Sequence, residues 1–186
     1  MRRVKRAKYV DASTAPRSRV GGLPSHLPRE WPTLAQTGER LAFIAQFYVS
    51  ELVPVLQEEA LCIQLYHTLE PYFGVDPEVV VVHSGAPLNT ASEGLSDPRV
   101  RSHDIEWIDD IEPDWGDPLD VDADAVGRYL STKFGGAAYD EEVFRSGRQV
   151  GLIAERSEGF VFGVSPLILL REANGYVLLP RAELPY

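Results

Sequence analysis

Cysteine is nearly absent from this chain. A single cysteine, Cys62, in 186 residues excludes an intramolecular disulfide and fits a reducing compartment. It also excludes a zinc site built from paired Cys-x-x-Cys words. No run approaches the ~18 apolar residues of a membrane-spanning helix. The basic start Met1-Arg2-Arg3-Val4-Lys5-Arg6 is followed by Lys8-Tyr9-Val10-Asp11, and the apolar stretch of an export signal is missing. The expectation is a cytoplasmic protein. Serines 84, 92, 96 and 165 lack a Gly-x-Ser-x-Gly setting, and neither Gly-Gly pair continues into a P-loop or a dinucleotide fingerprint. His26, His67, His83 and His103 fall in no His-x-x-x-His spacing. No catalytic residue, metal or cofactor is expected, and the reading leans away from an enzyme.

What the chain does contain is ordinary for a globular domain: 44% hydrophobic and 25% charged residues. Fourteen prolines and fifteen glycines point to short elements and many turns. Apolar strands are expected at residues 41–47, 60–67, 79–83, 149–155 and 159–164, the third carrying four successive valines. Leu167–Leu170 and Tyr176–Leu179 read as a hairpin around a Gly-bearing loop of about five residues. Ser50 is placed to cap a short helix that Pro54 confines, and a second short helix fits residues 122–130. Residues 84–103 read as a long connection. Cys62, inside Leu61-Cys62-Ile63, reads as a small buried hydrophobe.

Charge is segregated along the chain. Residues 1–19 hold seven Lys/Arg against one acid, while residues 104–124 hold ten acids and no Lys or Arg; the total is −10. The basic start reads as a solvated tail or an edge strand, with nucleic-acid contact as the weaker alternative. The acidic body repels nucleic acid and attracts basic proteins. In the acidic run, Trp107, Ile108, Ile111 and Trp115 interrupt the carboxylates. Three readings stay open there: a solvated acidic loop, a protein-binding surface formed by Glu106, Trp107, Asp109, Asp110, Glu112, Asp114 and Trp115, and a calcium site. Asp120-Val121-Asp122-Ala123-Asp124 opens like an EF-hand, but Gly127 falls two residues late and the bidentate Glu is missing.

Two words repeat in order. Ser18-Arg19-Val20-Gly21-Gly22 matches Thr132-Lys133-Phe134-Gly135-Gly136, and Arg40–Gln46 matches Gln149–Glu155. The glycines Gly21, Gly22, Gly135 and Gly136 are expected in tight turns with positive φ. A duplication implies two related halves.

Arg19-Val20-Gly21-Gly22-Leu23-Pro24, Trp31-Pro32, Phe43-Ile44-Ala45-Gln46-Phe47, Ser50-Glu51-Leu52 and Leu61-Cys62-Ile63-Gln64-Leu65-Tyr66 follow one another with the order and spacing seen in the YwqG-like family of bacterial proteins, which the chain resembles over residues 18–67. It departs from that pattern at Tyr48, where the family often has Asp or Asn, and at Trp115-Gly116-Asp117, which precedes the second Gly-Gly word. The resemblance implies a fold. It implies an immunity role only by association, because some members lie near secreted-toxin genes.

The expected fold is therefore α+β: a strand-dominated single domain over residues 18–186 after a tail or edge strand 1–17. Its halves, about 18–103 and 125–186, are joined by the acidic segment 104–124. The expected function is non-catalytic protein binding, as an immunity protein that covers the active surface of a basic toxin. The alternative is a small-molecule or metal-binding protein, or an enzyme, using a cleft between the halves near His67, His83 and the Gly-Gly turns.

Overall fold

The computed structural model describes residues 2–68, 78–84, 95, 96, 98, 101–112, 132–136, 149–153, 167–173 and 175–180. They form ten strands and one helical turn. The first half supplies β1 (Arg2–Asp11), β2 (Arg19–Val20), β3 (Ala42–Tyr48), α1 (Val49–Leu52), β4 (Cys62–His67) and β5 (Glu78–Val82). The second, which here takes in the start of the acidic segment expected to join the halves, supplies β6 (His103–Glu112), β7 (Lys133–Gly135), β8 (Gln149–Ile153), β9 (Leu167–Glu172) and β10 (Gly175–Pro180). All pair antiparallel in one sheet of order β10-β9-β8-β7-β1-β6-β2-β3-β4-β5. The two end strands approach each other, so the sheet curls into a nearly closed barrel.

This overturns the α+β expectation. The described residues are dominated by antiparallel strands in one barrel-like sheet, and helix is confined to the single turn α1. Pro54 explains the limit. The residue before a proline is pushed out of the helical region, and Val53 is extended at φ −64°, ψ 136°. Tyr48, not Ser50, holds the N-cap position, without a side-chain capping bond. The expectations at 122–130 and 159–164 lie outside the described residues. The hairpin is tighter than expected, because β9 and β10 run through to the closing pair Glu172–Gly175.

The start of the chain is neither a tail nor an edge. β1 lies in the middle of the sheet, between β7 and β6, and pairs with β6 along ten residues from Arg2–Glu112 to Asp11–His103. The acidic run is correspondingly not a solvated loop over residues 103–112. Its side chains alternate about the strand. Ile105 and Trp107 face the core, while Asp104, Glu106, Asp110 and Glu112 occupy the opposite face with Arg6 and Lys8.

The sheet order reads the same from either end about a line between β1 and β6. β2 and β7 carry the two Gly-Gly words at matching places. Ser18 O accepts from Ile105 N and Thr132 O from Ala7 N, both at 2.9 Å. Beyond them β3 and β8 each carry a bulge, between Phe43 and Ala45 in one half and Gln149 and Gly151 in the other. The ladders set a different equivalence from the sequence words. Arg19 pairs with Gln46 and its counterpart Lys133 with Leu152, so Gln46 corresponds to Leu152, three residues before Glu155. β1 and β6 are exchanged: each lies against the β2-type strand of the other half.

The core lies on one side of this sheet. Val20, Ala45, Phe47, Ile63, Ile105 and Phe134 are its fully buried centre. Phe47, Trp107 and Phe134 pack mutually with ring centroids 5.0–6.1 Å apart, a geometry worth about 0.5–1.5 kcal/mol per pair beyond area burial. On the other side Trp31 covers Leu41, Phe43 and Tyr66, and its indole N–H donates to Leu41 O at 2.7 Å. Gln46 and Gln64 are buried there without loss, because they bind the backbone of Arg17, Ser25 and His26.

Gly21, Gly22, Gly135 and Gly136 all have positive φ, between 63° and 75°. At Gly136 a Cβ would fall 2.2 Å from Glu112 Oε2 and 3.1 Å from Val4 Cβ. Gly38 has similar φ, 73°, with open space around it. Gly136→Ala should therefore cost more than about 3 kcal/mol and Gly38→Ala about 1–2 kcal/mol, since only the first adds a clash to backbone strain. Urea unfolding of the two variants checks this.

Candidate functional site

Five cations on β1 (Arg2, Arg3, Lys5, Arg6 and Lys8) run against five acids on β6 (Asp104, Glu106, Asp109, Asp110 and Glu112). Antiparallel pairing brings the two sets within reach. Lys5 Nζ meets Asp109 at 2.9 Å, Arg6 Nε meets Asp110 at 2.8 Å, and Lys8 Nζ meets Glu106 at 3.2 Å. At the other end of β6, buried Asp104 accepts from Ser13 N at 2.8 Å and Ser13 Oγ at 2.5 Å, and lies 3.2 Å from Arg19 Nη2.

Glu112 is also buried. Lys133 Nζ donates to both of its oxygens at 2.8 Å, and Arg6 Nη2 donates to Oε1 at 2.5 Å. Glu112 and Lys133 are each 2% exposed. Burial pulls the Lys133 ammonium below the ordinary lysine range and Arg6 adds to that, while Glu112 opposes both. One carboxylate thus ties β6 to β7 and β1 at the junction of the halves. It is almost fully buried and is a structural centre.

The expected partner-binding residues separate accordingly. Trp107 is half-buried in the core cluster. Glu112 is buried, whereas Glu106, Asp109 and Asp110 are exposed but engaged with β1 cations. Asp114 and Trp115 lie outside the described residues. His67 and His83 stand at opposite ends of the β4–β5 pair and are not brought together. His83 Nδ1 lies 2.6 Å from Glu59 O, and His67 Nδ1 lies 3.1 Å from Thr68 O. Among the described residues no three His, Cys, Asp or Glu side chains converge as a metal site. Cys62 is fully buried, and burial pushes its thiol up to about 12, so it stays protonated at neutral pH. Among the described residues no helix is long and apolar enough to cross a membrane.

An opening lies where the core-facing row of β6 emerges. Burial falls along that row from Ile105 at 0% through Trp107 to Ile111 at 59% exposed. There Arg3, Lys5, Asp109, Asp110 and Ile111 form an open pocket of about 440 Å³ with Val53 and Pro54 from the turn after α1. Val53 is 52% exposed. Asp109 and Asp110, which line the pocket, are among the residues the sequence leads one to expect at a partner contact; Val53 and Pro54 are not. Their only signal was an apolar residue kept out of the helix by the proline that follows it.

Removing one partner of the buried triad tests its role. Glu112→Ala removes the carboxylate to which both Lys133 and Arg6 donate and should lower stability by about 3–5 kcal/mol. Lys133→Met leaves Glu112 paired with Arg6 and should cost markedly less. Chemical denaturation of both variants gives the comparison; equal losses would assign the effect to packing rather than charge.

Compared with known proteins, the chain matches no protein-family model and no curated protein. The likeness to the YwqG-like family thus rests on the sequence words of residues 18–67.

Proposed function

We propose that this protein acts by binding another protein, without covalent chemistry, through the end of the barrel formed by Val53, Pro54, Asp109 and Ile111. One observation carries the reading. Four large apolar side chains are exposed among the described residues, and two of them, Val53 and Ile111, converge on this pocket. Apolar side chains rimmed by charged groups are the anatomy of a protein contact, with the apolar centre holding the partner and the rim setting orientation. Here Asp109–Lys5 and Asp110–Arg6 supply the rim.

The net charge of −10 favours a basic partner, because long-range attraction speeds encounter. The more specific form of the proposal is a cytoplasmic immunity protein that neutralises a basic toxin by covering its active surface. That form draws on the sequence resemblance. The pocket volume also falls in the range of small-ligand sites, so a small molecule is the competing occupant.

The test is affinity capture from the source cells with the tagged full chain, in parallel with a Val53→Ser/Ile111→Ser variant and a Val177→Ser control. Val177 is also exposed, at 41%, but sits on β10 away from the pocket. A single stoichiometric protein should be retained by the wild type and the control, and at least tenfold less by the double variant, the loss of about 1.4 kcal/mol of contact. Its retention should fall as salt rises. Equal retention by all three chains would reject the surface, and a copurifying small molecule in place of a protein would support the competing occupant.

A further inference from the structure

β5 and β10 end the sheet and come close to each other, yet among the described residues each is laddered along one side only, β5 to β4 and β10 to β9. Among the described residues the seam is spanned by contacts from the segment between α1 and β4. The Glu58 carboxylate accepts from the Arg171 guanidinium of β9 and, at 2.5 Å, from the Tyr176 hydroxyl of β10. Arg171 Nη2 also donates to Gln57 O at 3.3 Å, and its guanidinium lies 5.7 Å from the centre of the Tyr176 ring. On the β5 side, His83 Nδ1 lies 2.6 Å from Glu59 O, and Leu61 N donates to Val82 O at 2.7 Å. Residues 57–61 therefore hold the β9–β10 hairpin with one set of contacts and the end of β5 with another.

We propose that this segment is a latch on the barrel seam: β5 and β10 part and rejoin as Glu58 releases and recaptures Arg171 and Tyr176, while the β1–β6 centre stays paired. The difference in construction supports it. The centre is held by a ten-residue ladder and a buried charge triad, whereas the latch is carried by side chains, with Arg171 47% and Glu58 26% exposed. Local opening selects contacts that water can replace.

The latch also has a defined pH sense. Hydrogen bonds from Tyr176 and Arg171 hold the Glu58 carboxyl below its usual range, and the His83 charge acts in the same direction. A carboxylate so depressed contributes above its unfolded pKa of about 4.3, and the contribution is lost as pH falls through the lower folded value. The groups facing Glu58 are Arg171 from β9, Tyr176 from β10 and His83 beyond β5, so the latch is closed at neutral pH. Burial chiefly pushes the Tyr176 hydroxyl up to about 12, which keeps it a donor throughout that range.

Hydrogen–deuterium exchange of the full chain at neutral pH, read by mass spectrometry on the wild type, Glu58→Gln and Tyr176→Phe, decides the matter. Peptides covering 78–82 and 175–180 should exchange about tenfold faster in Glu58→Gln and faster in Tyr176→Phe, with peptides from β1 and β6 unchanged. Tyr176→Phe keeps the ring and removes only the hydroxyl, so it reports on the latch even if the first variant folds poorly. Unchanged exchange at the seam in both variants would overturn the proposal. So would a uniform acceleration of all strands, which would make Glu58 a contributor to global stability alone.

Discussion

A buried carboxylate shared by two cations holds the centre of this barrel in register. Desolvating Glu112, Lys133 and Arg6 is expensive, and the cost is offset only when all three meet with good geometry. They come from β6, β7 and β1, so the geometry is satisfied only if the first strand of the chain lies between two strands of the second half. A slip of one residue along β1 would turn Arg6 to the core side and leave Glu112 and Lys133 with an apolar neighbour. The same carboxylate dictates Gly136, because no side chain fits between Glu112 and Val4. One interaction therefore sets strand order, register and the identity of a glycine.

Charge segregation along the chain takes on a different meaning in this light. Read linearly, a basic start and an acidic middle suggest two surfaces with opposite fields. Folded, they are adjacent strands whose charges meet pair by pair, from Lys8–Glu106 through Lys5–Asp109 to Arg6–Asp110. Exposed pairs of this kind contribute little energy each, typically 0–1 kcal/mol. Their value is in specificity, because like charges directly opposite one another destabilise a strand pair. A chain with many strands has many wrong pairings available, and the charges on β1 and β6 disfavour those that would set like charges opposite one another.

The legible parts of the fold were those whose signal is local. β3, β4, β5, β8 and the β9–β10 hairpin are short apolar runs flanked by turn residues, and the Gly-Gly words mark turns that only glycine makes easily. β1 and β6 were illegible because their outward rows are charged and their partners lie about a hundred residues away; nothing within either segment announces the other. Register was also hidden. The sequence words align Ala45-Gln46 with Ala154-Glu155, whereas the ladders align them with Gly151-Leu152, since pairing and bulges follow the backbone rather than residue likeness. At the site, Trp107 reads as an exposed contact in a run of acids, and only the fold shows it against Phe47 and Phe134.

The exchange of β1 and β6 also limits where function can reside. If the halves were two lobes, a cleft between them would be the natural place for a ligand. Instead each half ends on a strand that the other half covers: β2 pairs with β6, and β7 with β1. Separated, either half would expose β2 or β7 as an open edge, the feature that invites aggregation. The junction is thus held by paired charges on both faces of the β1–β6 ladder. Among the described residues an open pocket lies at the barrel end around Val53 and Ile111, and partly exposed side-chain contacts lie at the seam beside Glu58.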